Sequence, residues 1–516
     1  MKKNIVYKRI CFLGAALLFC ASTFGQKFHS DNGDGTYTNP IIAADFPDPD
    51  VIRVGDTYYM VTTTMFIFPG VTVLKSHDLV NWEYCSNAVP RFDYGKCYDL
   101  EGCNRYGHGQ WATSMKYHNG KFYLLFITLN EGGFICSADK AEGPWKIRHL
   151  SKGFYDPGLF FDTDGKIYVA HGYGKIYITA LNKDFSPAGN DSLVYTGDIR
   201  GGLEGTHVYK IGDFYYLYST YGGRDGIQVA LRSKDIYGPY TEKVVISDKV
   251  KGATFGVHQG ALIQVNKDEW WTMLFVDSGP LGRFPSLQPV TWIDGWPIVG
   301  NDGHGVITYK KPNVGAKYPI TTLPTSDKFD SKVLGMQWGW NHNPDTAKWS
   351  LTERHGYLRL KTVRVCDSLP KAVNTLTQRI FCKYDGTKPT YCTTKLDVRN
   401  MKDGDIAGLA VFQMPYGYIG VRVSGNQKYL IMVNDGEVID SVLLKGDIVT
   451  LRTIVSNTKS TADFEYSFDH VKFTKLGNAL NMKFNLKIFT GNKVCLFNYP
   501  TKQPGGYVDF DELIMN

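Results

Sequence analysis

One short pattern occurs five times in the first three hundred residues: a polar or glycine turn, then a run of aromatic and β-branched residues. The copies are GDTYYMVTT from Gly55, NGKFYLLFIT from Asn119, DGKIYVAHG from Asp164, GDFYYLYST from Gly212 and KDEWWTMLF from Lys267. Their second turn residues, Asp56, Gly120, Gly165, Asp213 and Asp268, are 64, 45, 48 and 55 positions apart. Steps of that size suit one four-stranded blade per repeat. Several runs are apolar on both faces, as YLLF after Phe122 shows, which a sheet stacked between two neighbouring sheets requires. The 33 Tyr, 29 Phe and 10 Trp, set among 54 Gly and 22 Pro, favour short strands and tight turns over long helices. The expected fold is all-β and begins with a five-bladed β-propeller over residues 26–310. The uneven steps leave a β-sandwich with fortuitous turn similarity as the alternative.

A second regularity lies upstream of the turns. Asp48 precedes its turn residue by eight positions, Trp111, Asp156 and Glu204 by nine, and His258 by ten. If each turn joins the first strand of a blade to the second, all five residues sit on the strands that line the central channel. They then meet in one pocket holding three carboxylates, an imidazole and an indole. Each residue also has a structural explanation. Asp48 and Asp156 precede Pro49 and Pro157, and Asp-Pro commonly opens turns; Glu204 suits a loop, His258 an interior site and Trp111 the core. The shared offset argues against five independent accidents.

Carboxylates beside an aromatic side chain suit hydrolysis of a glycosidic bond. A protonated acid serves the leaving oxygen, an ionised base activates water on the opposite face of the sugar, and a third negative charge nearby raises the acid's pKa. The motifs themselves resemble glycoside hydrolase family 43. NPIIAADFPDPDVIRVGDTYYMV resembles the family's first strand, GFYDPGLFFDTDGKIYV its second carboxylate motif and IRGGLEGTHVYKIGDFYYLY its general-acid motif. The resemblance implies Asp48 as general base, Glu204 as general acid and Asp156 as the residue that tunes and orients the acid, in an inverting enzyme acting on arabinofuranosides or xylosides. It also implies substrate contacts from Trp111, His258 in FGVHQGAL, Arg283 in LGRFPSLQPVTW, and Met65 and Phe66 in TTTMFIFPG. No cofactor is required. A structural calcium beside His258 is the one cation the resemblance allows. Asp50 stands where the family often has Ser, WAT at 111–113 replaces WAP, and Met65 takes a place where the xylosidase branch often has Phe. The NDPNG and EC motifs of retaining fructan hydrolases do not occur, and neither does a sialidase arginine triad.

The amino terminus carries Lys2, Lys3, Lys8 and Arg9 ahead of an apolar stretch over 10–24 that is too short to span a bilayer. It reads as a signal peptide over 1–25 and implies export to the periplasm or beyond; Cys20 offers a lipoprotein alternative that the bulky Phe19 disfavours. Without the leader the formal charge falls from +7 to +3, and no Lys/Arg run suggests a nucleic-acid partner. No later segment is expected to cross a membrane. Eight cysteines remain, with no CxxC pair, which permits disulfides without fixing a pattern.

After a Pro- and Lys-rich linker at 311–328, short strands recur with hairpin turns at SGN (424–426) and NDG (434–436). This predicts a β-sandwich over 329–516, which resembles the concanavalin-like domain of two-domain family members. Trp338, Trp340 and Trp349 read as core or interdomain packing rather than a sugar-binding face. The expected protein is an exported exo-acting glycosidase whose partners are plant hemicellulose oligosaccharides, with terminal α-L-arabinofuranose placed first. A β-1,4-D-xylosidase or bifunctional enzyme is the alternative, and a noncatalytic sugar-binding propeller is the alternative from another class.

Overall fold

The computed structural model describes residues 28–198, 202–223, 226–247, 257–382 and 388–516. The expected leader with Cys20, and the first residues of the IRGGLEGTH and FGVHQGAL segments, lie outside them.

Five four-stranded antiparallel sheets follow one another along the chain. Their first strands are Asp50–Val54, Ser114–His118, Gly158–Phe161, Leu203–Ile211 and Val257–Asn266, and we number the blades I to V in that order. Each first strand touches the first strands of its two neighbours, and blade V closes onto blade I, so the five strands form a ring. The repeated turns do join first strand to second. Val54 pairs with Thr57 across Gly55, His118 with Lys121 across Asn119 and Gly120, and Ile211 with Phe214 across Gly212. Asn119 and Gly120 both have positive φ, at 49° and 79°, the two-residue turn whose twist matches a hairpin. The ring is fastened from outside: Thr36–Thr38 pairs with Thr308–Lys310, and the Asn39 side chain donates to the carbonyls of Leu287 and Val306.

The remaining chain forms two packed sheets. Both expected hairpins are present: Ser424 pairs with Gln427, and Asn434 with Glu437 across Asp435 and Gly436. Trp338 and Trp340 are buried, with Trp340 against Trp349, so they serve the core.

The two domains are stitched together well away from the linker. Ile67–Phe68, in the loop between the second and third strands of blade I, pairs with Trp338–Asn341 and becomes the edge strand of one sandwich sheet. A blade I–II connection crosses the joint too. It carries the Cys97–Cys103 disulfide, accepts from the Asn343 amide N–H at the Tyr98 carbonyl, and receives the Arg364 guanidinium at the Asp99 carbonyl. One apolar core runs through the joint, from Phe46 and Trp271 in the propeller to Trp338 and Phe381 in the sandwich. Burial of this kind, and not the linker, sets the geometry between the domains.

Candidate active site

All five residues marked by the spacing lie where a first strand begins. Asp48 and Asp156 stand two residues before theirs, Trp111 three before, and Glu204 and His258 are the second residues of theirs. Asp48 (φ 54°) and Asp156 (φ 46°) both adopt the left-handed region, which a short polar side chain tolerates better than most and which is concentrated at functional sites. Space beside two of the five comes from glycines. A Cβ on Gly222 would lie 2.1 Å from the Glu204 carboxylate, and one on Gly226 would lie 2.4 Å from the His258 ring.

The three carboxyls interact. Burial pushes Asp156 well above the ordinary carboxylate range, and the charges of Glu204 and Asp48 push it further. Glu204 is raised to about 7, chiefly by burial and also by the charge of Asp48, while a hydrogen bond from the Tyr155 hydroxyl (3.2 Å) and the positive Arg283 oppose the rise. Asp48 itself is an acceptor: the Arg283 guanidinium donates to one oxygen at 2.6 Å and the Thr63 hydroxyl to the other at 2.6 Å. The pocket therefore joins a carboxylate ion-paired to Arg283 to two carboxyls whose proton affinity is raised. That is the unlike pair that general acid and general base work needs.

Arg283 is 6% exposed, and its Nε and second terminal nitrogen have no hydrogen-bond partner among the described residues. Its guanidinium lies between the rings of Phe275 and Phe489, 5.2 and 5.0 Å from their centroids. Phe489 comes from the sandwich and also stacks on Trp111 at 4.9 Å, so the second domain builds part of the site. A buried ion pair holds it there: Lys493 meets Asp45 at 2.6 Å, the amides of Gly491 and Arg283 donate to the two Asp45 oxygens, and Arg379 donates to the Asp45 carbonyl. Burial alone would raise Asp45, but Lys493 and Arg283 hold it below the ordinary value.

The other expected contacts separate. His258 is buried, with Nδ1 at the Thr220 hydroxyl and Nε2 3.6 Å from Asp277. Among the described residues no group of three or more His, Cys, Asp or Glu is arranged for a cation, so no residue set is assigned to one. Met65 exchanges backbone hydrogen bonds with Gln110 and lies in the apolar cluster against which Trp111 and Phe489 pack. Phe66 departs from its expectation as a sugar contact. At 2% exposure it is sealed between Tyr106 and His342 at the domain joint, because its strand neighbours Ile67 and Phe68 belong to the sandwich sheet.

Two departures from the family motifs have local causes. Asp50 is fully buried, accepts from the Met115 amide at 2.6 Å and lies near His207 and Lys116, tying blades I, II and IV together at the axis. Thr113 accepts from Gln110, whose carbonyl oxygen in turn accepts from Thr64. Tyr155, Thr63, Asp277, Asp45 and Phe489 escaped the sequence reading. Tyr155 could have been suspected from its place beside Asp156 and Thr63 from its place in TTTMF, but nothing in the spacing points to Phe489 or Asp45.

Known proteins share this architecture. A model described as glycosyl hydrolases family 43 matches residues 37–297, and one described as beta xylosidase C-terminal concanavalin A-like domain matches 326–516. A beta-xylosidase of Formosa agariphila is 36% identical over 93% of this chain and 90% of its own length. A non-reducing end alpha-L-arabinofuranosidase of Bacteroides ovatus is 35% identical over 63% of this chain and 65% of its own. A solved structure titled as a bifunctional GH43-CE of Bacteroides eggerthii superposes with a TM-score of 0.86 at 36% identity, covering 95% of this chain. This chain spans 64% of that longer protein.

Proposed function

The chain belongs to glycosyl hydrolase family 43, and from that premise we propose an exported, exo-acting, inverting glycosidase that removes terminal pentoses from hemicellulose oligosaccharides. Asp48 takes a proton from the attacking water, Glu204 gives one to the leaving oxygen, and the open donors of Arg283 hold sugar hydroxyls. Asp156 and Glu204 repel each other as anions, so the pair keeps a proton to higher pH than a lone carboxyl, and Asp156 thereby tunes the acid. The observation that carries this reading is the contrast within one pocket: Glu204 raised to about 7 while Asp48 is ion-paired to Arg283.

For the sugar, β-D-xylose takes first place. More of the similar relatives are named beta-xylosidase than arabinofuranosidase, which reverses the order expected from the sequence. α-L-Arabinofuranose stays as the second reading, favoured by the Bacteroides ovatus relative. Turnover of the two nitrophenyl pentosides ranks them. Proton NMR of the first-formed sugar should show the anomeric configuration opposite to the substrate; retention overturns the inverting assignment.

A further inference from the structure

Tyr173 is 66% exposed, the most exposed Phe, Tyr or Trp among the described residues. It stands beside the acid and not on a remote surface. The amide of Gly172 donates to the Tyr155 carbonyl at 3.0 Å, and that of Gly174 to the Leu203 carbonyl at 2.9 Å. The two residues flanking Tyr173 are thus fastened to the residues that precede Asp156 and Glu204. Both flanking glycines have positive φ, 128° and 70°, and a Cβ on Gly172 would lie 2.1 Å from the Lys175 carbonyl oxygen. The turn is built to hold an aromatic ring out. That ring meets Tyr155 edge-on at 6.0 Å, and Tyr155 both donates to Glu204 and neighbours Trp111 at 6.1 Å. Gly202 lies against the rim of the Tyr173 ring, where any Cβ would clash at 2.0 Å.

A general acid protonates the oxygen of the departing group, so the side of the pocket on which Glu204 lies is the leaving-group side. An exposed aromatic ring fixed there offers an apolar face where the sugar unit next to the cleaved bond must rest. We propose that Tyr173 is the stacking platform for that leaving-group sugar, so that it discriminates substrates by the unit to which the terminal pentose is attached and not by the pentose itself. This deepens the glycosidase reading and rests on it.

The test compares kcat/KM on xylo-oligosaccharides of two to four units with kcat/KM on the pentosyl fluoride, whose leaving group is a single atom. In Tyr173→Ala the ratio of the two should fall about five- to tenfold, the scale of one lost aromatic stacking contact. Tyr173→Trp should restore it, while Tyr173→Leu, which fills the space without a ring, should not. Equal losses on both substrates, or an unchanged ratio, overturn the platform while leaving the glycosidase reading in place. Wild-type protein that cleaves neither these substrates nor the corresponding α-L-arabinofuranosides overturns both.

Discussion

Replacing Glu204 by Gln should make the protein less active and, above neutral pH, more stable. The side chain keeps its shape and still accepts from Tyr155, but it no longer ionises. In the folded protein the Glu204 carboxyl is raised from an ordinary 4.5 to about 7. At 1.36 kcal/mol per pKa unit this amounts to about 3 kcal/mol. Because the folded value lies above the unfolded one, the sign is the reverse of that for a salt-bridged carboxylate. Below pH 4.5 both states hold the proton and nothing is lost. Between pH 4.5 and 7 the unfolded chain ionises first and folding loses stability, and above pH 7 the whole penalty is present. Glu204→Gln removes it. Thermal melts of wild type and variant should therefore coincide near pH 4 and separate by about 6 °C at pH 8, at about 2 °C per kcal/mol for a large domain. Turnover should fall about 10²- to 10⁴-fold. Melting curves that stay parallel from pH 4 to 8 would show that Glu204 is not the strained carboxyl, and equal turnover would remove it from the mechanism.

Arg283→Gln takes away a positive charge that lowers both Glu204 and Asp156, so the alkaline limb of kcat/KM should move to higher pH as the rate falls; an unmoved limb separates Arg283 from the acid. Lys493→Met removes the ammonium paired with the buried Asp45 carboxylate at the domain joint and should cost about 3–5 kcal/mol, measured by denaturant unfolding. Adding Asp45→Asn should recover part of that loss, and strictly additive effects would show that the pair is not coupled.

The blades were legible because a propeller repeats one local problem five times. Each hairpin needs its own turn residues and each buried strand its own apolar faces, and both requirements are met by neighbours in sequence. The same repetition brought out Asp48, Trp111, Asp156, Glu204 and His258, since a matching offset from matching turns places residues at matching points around a ring. Phe66 was misplaced for the complementary reason. Its neighbours Ile67 and Phe68 look like a blade connection, but they hydrogen-bond to Trp340 and Asn341, more than 270 positions away, and no local pattern marks a strand that completes another domain's sheet.

What the amino-acid order decided alone is the strand repertoire, the ring of five and the identities of the carboxyls, because these derive from turn chemistry, side-chain alternation and period. What waited for the tertiary structure is the state of those carboxyls and the walls around them. Proton affinity depends on burial and on charges a few ångströms away, and here those come from Arg283, from Tyr155 and from the Phe489 ring that Asp45 and Lys493 hold in place from the other domain. Distance through space, not separation along the chain, governs both solvation and Coulomb interaction.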